Sequence, residues 1–178
     1  MNTLEQLKST YGSRCTAIRV NPVKKYEQLP EDKQVRFCEA VSQSFKDTFM
    51  IGKEDVCCRG ARRTIWPELD NDVDFSGYIA TNAGIDRDFV RESLKHIPEF
   101  QFQVHQIALG NPESPDLFLS VCSNVFTQVY HSSKPFISFG CPDSRYFGGI
   151  QEDEVVIGLP AATAERLMEK SHAYSASI

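Results

Sequence analysis

Six cysteines are the residues of this chain best suited by type to chemistry: Cys15, Cys38, Cys57, Cys58, Cys122 and Cys141. No C-x-x-C pair, which is typical of zinc sites, occurs among them. Cys58, Cys122 and Cys141 stand at predicted strand ends or turns, and the strand ends of an α/β sheet converge on one edge. A buried free cysteine also packs as a small hydrophobe, and Cys38 fits the apolar stripe of a predicted helix. From the residues alone, core packing and a shared metal site both stay open.

Basic residues surround one of these thiols. Cys58 is followed by the arginine-rich segment 59–63. Nearby cations lower the pKa of a thiol and raise its thiolate fraction. A thiol enzyme is therefore one hypothesis, with Cys58 as nucleophile and His105 or His131 as base. A solvated basic loop that faces the acidic stretch 68–74 explains the same arginines without catalysis.

The segment Cys141–Gly149 forms a third candidate site, because it combines polar groups, an arginine and two glycines. Gly148 lets the backbone approach a ligand closely, and Arg145 can hold a carboxylate or phosphate through two hydrogen bonds. Together with Arg62, these residues are the candidate binding site for a small anion. A plain connection from Cys141 to Asp153 is the alternative. The segment has neither the G-K-[ST] of a phosphate-binding loop nor a dinucleotide fingerprint.

Hydrophobic spacing predicts the elements that must position these residues. Helices are predicted over Met1–Tyr11 and Val35–Phe49, after an N-cap at Asp86, and from Pro160 onward. Strands are predicted at Cys15–Val20, Phe100–Val104, Leu117–Cys122, Phe136–Cys141 and Val155–Leu159. The strand over residues 117–122 is almost continuously apolar, which is typical of a central strand.

The helical stripes need a sheet to cover, so the sequence predicts a single compact α+β domain over residues 1–178. Its architecture is a mixed β-sheet with helices packed on it. The acidic, turn-rich stretch Glu68–Gly84 predicts a long surface loop or flap near the Cys58 block. Residues 171–178 predict a frayed tail.

Composition narrows the function class. The 178 residues include 19 Lys and Arg against 24 Asp and Glu, a formal charge of −5, and nucleic-acid binders usually carry a basic excess. The N-terminus lacks the pattern of a signal peptide, and the longest apolar runs, of about five residues, fall far short of the roughly 20 that span a bilayer. We therefore expect a cytoplasmic protein with no nucleic-acid or membrane partner. In that reducing compartment the cysteines are not expected to form structural disulfides.

Four sequence blocks occur in a fixed order: Phe37–Val41, Cys58–Arg63, Cys141–Arg145 and Val156–Pro160. In this order they resemble the uncharacterised family named domain of unknown function 169, which is common in anaerobic microbes, methane producers among them. The resemblance covers about residues 17–170. It implies that four cysteines belong to the family pattern, namely Cys38, Cys58, Cys122 and Cys141, and that Cys15 and Cys57 are incidental.

With this resemblance, the four pattern cysteines predict a thiolate-ligated metal centre. The anaerobic setting favours a [4Fe-4S] cluster in redox metabolism, with zinc or no metal as alternatives. The partner would be a redox protein or a small anionic ligand. Two other functions stay open: a small-anion binding or regulatory domain with structural cysteines, and a thiol enzyme that uses Cys58.

Overall fold

The computed structural model describes residues 2–29, 34–57, 65–66, 76–77, 80–81, 86–123, 136–137 and 154–175. Its strands are β1 (Cys15–Val20), β2 (Glu27–Gln28), β3 (Phe49–Gly52), β4 (Gln106–Gly110), β5 (Leu117–Ser123), β6 (Phe136–Ile137) and β7 (Glu154–Pro160). Its helices are α1 (Thr3–Tyr11), α2 (Phe37–Ser44), α3 (Arg87–Leu94) and α4 (Ala161–Ser175), and a 3₁₀ turn spans Lys53–Asp55.

The strands form one sheet in the order β2-β3-β4-β1-β5-β7-β6. β2 pairs with β3 in parallel, and every other neighbouring pair in this order is antiparallel, so the sheet is mixed. β1 lies between β4 and β5, with Ile18 opposite both Leu109 and Leu117. This central position fits its six residues, of which only Arg19 is not fully buried.

One surface of the sheet, called here the α2 face, carries the larger apolar core. Residues that alternate along the strands, such as Ile18, Leu109 and Leu119, pack there with Phe37 and Val41 of α2. The alternation follows from the strand geometry, in which successive side chains point to opposite faces. Buried Ile65 and Trp66 complete this core from the middle of the chain.

The opposite surface, called here the α1/α4 face, is covered by the two helices nearest the chain ends. Leu7 of α1 and Met168 of α4 pack with the strand residues Cys15, Phe118 and Leu159. Helix α1 begins after Asn2, whose side-chain oxygen accepts a hydrogen bond from the Glu5 amide at 2.9 Å. Sheet and helices thus form the predicted single compact α+β arrangement.

Several predicted elements are confirmed with close boundaries. β1 has the predicted limits, β5 extends one residue past Cys122, and β7 contains the predicted strand. The predicted N-cap also holds, because Asp86 Oδ1 accepts a hydrogen bond from the Phe89 amide at 2.9 Å. Helix α4 continues to Ser175, so residues 171–175 have a helical backbone where a frayed tail is predicted.

One predicted boundary and one predicted strand are wrong. The helix predicted to reach Phe49 ends at Ser44, and Phe49 opens β3, where it pairs with Leu109 and Glu27. The four-residue spacing of Phe45 and Phe49 imitates a helical stripe, but a continuous apolar run from Phe49 to Ile51 suits a strand buried on both faces.

The strand predicted over Phe100–Val104 is also absent, since β4 begins at Gln106. Phe102 is 55% exposed, and Asn21 Nδ2 donates a hydrogen bond to the Gln103 carbonyl at 2.8 Å. Alternation of apolar and polar residues is therefore present there without a pairing strand. None of the helices in the described ranges is long and apolar enough to cross a membrane.

Candidate functional site

Cys38 is the pattern cysteine whose side chain the structure describes. It is the second residue of α2, with a 3% exposed side chain and no disulfide bond. The helix begins after Arg36, whose amide donates to Glu39 Oε2 at 2.9 Å. Cys38 therefore lies near the start of α2, in the layer that covers the α2 face.

The backbone of Cys122 lies in β5, one residue before its end. Its Cα is paired with that of Val155 in β7. Along β5 it follows Phe118 and Ser120 at two-residue intervals, which assigns its backbone position to the α1/α4 face. Cys38 and Cys122 thus belong to opposite faces of the sheet.

The remaining predicted site residues lie outside the described part of the chain: Cys58, Cys141, Arg62, Arg145 and Gly148. Their roles stay predictions. The same holds for most of the acidic stretch Glu68–Gly84, in which only the pairs 76–77 and 80–81 are described, with helical backbone.

The segment that contains Cys58 and Arg62 is flanked on both sides by anchored residues. On one side, the Cys57 amide donates to the Val35 carbonyl at 3.2 Å. On the other side, fully buried Trp66 donates from Nε1 to the Val104 carbonyl at 3.0 Å. The two ends of segment 58–64 are therefore fixed on the core of the α2 face.

Two cysteines that the resemblance treats as incidental have different environments. Cys57 is exposed, and its thiol lies 3.5 Å from the Val35 carbonyl oxygen. Cys15 is buried, and its thiol contacts the Gly12 carbonyl at 3.3 Å and Ser120 Oγ at 3.2 Å. Burial raises the pKa of the Cys15 thiol, while the hydrogen bond with Ser120 and the positive charge of Lys8 act in the opposite direction.

Searched over the described residues, the structure contains no group of three or more His, Cys, Asp or Glu side chains that could hold a metal ion. Cys15, Cys38 and Cys57 form no disulfide bond. A site ligated by the predicted cysteines therefore needs side chains beyond these ranges.

Sequence reasoning missed the roles of two polar residues, Asn21 and Asp116, at the Val20 end of β1. Asn21 adopts a φ of 43°, and its Oδ1 accepts a hydrogen bond from the His105 amide at 2.9 Å. Asp116 accepts from the Val20 amide at 2.7 Å and pairs with Arg19 at 3.0 Å. The Asn-Pro dipeptide after β1 is the available sequence signal for the first residue, since Asn tolerates a positive φ. Both residues join loops to the sheet end.

Comparison with known proteins adds a family match for the second half of the chain. Residues 102–170 match the model of the family DUF169, described as uncharacterised ArCR. The match confirms the resemblance for the segment that contains β4 to β7 and much of α4. The blocks at Phe37–Val41 and Cys58–Arg63 lie before it. No curated protein and no solved structure matches the chain significantly.

Proposed function

We propose that this chain is a cysteine-ligated metal-binding protein whose centre, most simply a [4Fe-4S] cluster, takes Cys122 and Cys141 as ligands. Both residues fall within the segment 102–170 that matches the family model. A cluster of this kind, when bound, supplies one-electron transfer.

The direction of two strands carries the proposal. β5 and β6 each pair antiparallel with β7, so their carboxyl ends point to the same end of the sheet. Cys122 lies at the end of β5, and Cys141 follows the last residue of β6 by four positions. Because only β7 separates the two strands, the strand axes lie about 10 Å apart. Carboxyl ends that share one edge are common places for binding sites.

Thiolates are the ligands that iron–sulfur clusters and structural zinc prefer. In the proposal, Cys122 and Cys141 would supply two thiolates of a four-thiolate set. The other ligands must reach the same end.

Anaerobic purification tests the proposal directly. The protein is purified without oxygen and analysed for iron, acid-labile sulfide and zinc, together with its visible absorption spectrum. We expect stoichiometric iron and sulfide, with loss of both in Cys122→Ala and Cys141→Ala. Cys57→Ala, which changes an exposed thiol, is the control and should keep the metal. A folded, metal-free wild-type protein, also after reconstitution with iron and sulfide, would contradict the proposal.

A second candidate function is the binding of a small anion, with the cysteines as structural residues. Two observations favour it: Cys15 and Cys38 are buried as core residues, and both ends of the arginine-rich segment 58–64 are held by hydrogen bonds to the core. Arg62 would then hold a carboxylate or phosphate, with Arg145 and Gly148 from the second loop.

Titration with inorganic phosphate and with a small dicarboxylate, followed by calorimetry, tests this candidate. We expect Arg62→Gln and Arg145→Gln to weaken binding at least tenfold. Arg91→Gln is the matched control, because Arg91 is an exposed arginine of α3 that pairs with Asp88. Equal loss of binding in all three variants would indicate only nonspecific charge attraction and would contradict a site at these arginines.

A further inference from the structure

We infer that Cys38 and Cys122 do not ligate the same metal centre, an inference that deepens the proposed metal-binding function and rests on it. The four-cysteine centre predicted from the sequence would then lose Cys38. Cys38 would then be a packing residue of α2, a role that fits its 3% exposed side chain.

Strand register gives the separation along the sheet. Val20, Ile107 and Ile51 lie level with one another across β1, β4 and β3. At the other end of β1, Cys15 lies level with Ser120, and Cys122 lies two residues farther in the same direction. Cys122 is thus seven residues from the level of Val20, or about 23 Å at the usual rise of a strand.

Helix α2 starts near the Val20 end. Before the helix, the Val35 amide donates to the Asp55 carbonyl at 2.8 Å, and Asp55 in turn accepts from the Gly52 amide at 2.6 Å. Gly52 is paired with Gln106, one residue beyond the level of Val20. The last residue of the helix, Ser44, contacts Thr16 near the other end of β1. Cys38, the second residue of α2, therefore lies toward the end of the sheet that is remote from Cys122.

The two positions are also divided by the sheet itself. Helix α2 packs on the face that carries Ile18 and Leu119, whereas the backbone position of Cys122 belongs to the α1/α4 face. Two thiolates bound to one zinc ion, each at about 2.3 Å, lie within about 5 Å of each other. Along the strands, Cys122 lies three residues, about 10 Å, beyond the level of Thr16, which Ser44 contacts. Cys38 lies six helical residues, about 9 Å, before Ser44 in the opposite direction. The resulting offset of about 20 Å is several times the span of about 5 Å, so one small centre cannot take both thiolates.

Metal analysis of matched variants tests the ligand assignment. We expect Cys38→Ala to retain the iron and sulfide of the wild type, while Cys122→Ala loses them. Cys38→Ser serves as a second variant if the alanine variant folds poorly, as judged by circular dichroism. Loss of metal in a folded Cys38 variant would overturn the inference. A metal-free wild-type protein would instead overturn the proposed function. The separation of Cys38 and Cys122 would then be tested by the spin-label measurement described next.

A spin label provides the metal-free measurement. A nitroxide is attached to exposed Cys57 in a chain that carries Cys58→Ser and Cys141→Ser, and single labelling is checked by mass spectrometry. Cys57 is bonded to Val35 beside the start of α2, so the Cys38 amide signal should be strongly broadened in NMR spectra. The Cys122 and Ser123 amides should keep the intensity that they have after the label is reduced. Equal broadening of the Cys38 and Cys122 amides would overturn the inference without reference to any metal.

Discussion

The two faces of the sheet are built differently. The α2 face is covered by one continuous apolar cluster, in which a two-turn helix is joined by Trp66 from a distant part of the chain. The α1/α4 face carries a smaller cluster that includes the thiol of Cys15 beside the hydroxyl of Ser120. The first face therefore carries the larger apolar cluster, whereas the second one carries a smaller cluster that includes a buried thiol.

This difference bears on where chemistry can occur. A fully packed apolar face leaves no room for a ligand, because protein interiors are close-packed. The α1/α4 face continues toward the end of β5, where Cys122 lies and where β6 also points. In our proposal the centre would form near the end of β5, away from the larger cluster, and the larger cluster on the α2 face buries more apolar side chains.

Trp66→Ala should give the largest loss of stability. The side chain is fully buried on the α2 face, and its Nε1 donates to the Val104 carbonyl. Truncation of such a residue leaves a cavity and costs about 3–5 kcal/mol. Chemical denaturation followed by circular dichroism measures the change, since Trp66 is the single tryptophan of the chain. Phe102→Ala, at an aromatic residue that is 55% exposed, should cost less than about 0.5 kcal/mol. Similar losses in both variants would remove the distinction between core and surface aromatics.

Met168→Ala on the α1/α4 face should cost less, about 2 kcal/mol, at the lower end for a buried methionine. Met168 packs against residues of α1 and of the sheet, and the Thr10 hydroxyl lies 4.0 Å from its sulfur. Denaturation measures the loss, and hydrogen exchange should show faster exchange in α1 and α4 than in α2. Glu169→Ala, an exposed neighbour, is the control. A loss equal to that of Trp66→Ala would contradict the unequal contribution of the two faces.

How far the sequence predicts this molecule depends on whether a feature is local. β1 and the Asp86 cap are set by neighbouring residues, so a short apolar run closed by Asn-Pro and capping chemistry predict them well. The spacing of the apolar residues places the end of α2 too late, at Phe49. Phe49 satisfies the helical spacing and yet pairs in the sheet with Leu109, which is 60 positions away. Only that long-range pairing decides between helix and strand.

The candidate site shows the same limit more sharply. The sequence identifies Cys38 and Cys122 as chemically suited residues, but their spacing along the chain carries no information about which face or end they occupy. That information comes from the register of β1 with β4 on one side and β5 on the other. The grouping of Cys122 with Cys141 depends in the same way on the direction of β6.

Thr16→Val should have a small effect, because it removes a single hydroxyl from an otherwise apolar face. That hydroxyl donates to the Gly110 carbonyl at 3.4 Å and also contacts Ser44. Thr16 Oγ1 lies 2.7 Å from Ser44 Oγ, which also donates to the Val41 carbonyl at 2.7 Å. Valine keeps the shape and removes the hydroxyl, for an expected cost of about 1 kcal/mol. A double-mutant cycle with Ser44→Ala measures the coupling between the two hydroxyls. Strict additivity of the two single changes would show that this contact does not join α2 to the sheet.

Cys15 should make the smallest contribution, one that is visible only at alkaline pH. Burial raises the pKa of its thiol in the folded protein above the value of about 8.5 that is usual for cysteine. As the pH rises above that value, the unfolded chain releases the proton while the folded chain still holds it. The unfolded state is thereby favoured, and stability falls until the pH passes the folded pKa. Below the unfolded pKa the effect is absent.

The measurement compares the free energy of unfolding between about pH 8 and pH 10 for the wild type and for Cys15→Ala. Other thiols, tyrosines and lysines also titrate in this range, so the informative quantity is the difference in slope between the two proteins. We expect the alanine variant to lose less stability with rising pH, although it starts from a lower value because a packed thiol has been removed. Cys57→Ala, at an exposed thiol, should keep the slope of the wild type. Identical slopes for Cys15→Ala and the wild type would mean that the thiol beside Ser120 is not held protonated by burial, and the two faces would then differ in packing alone.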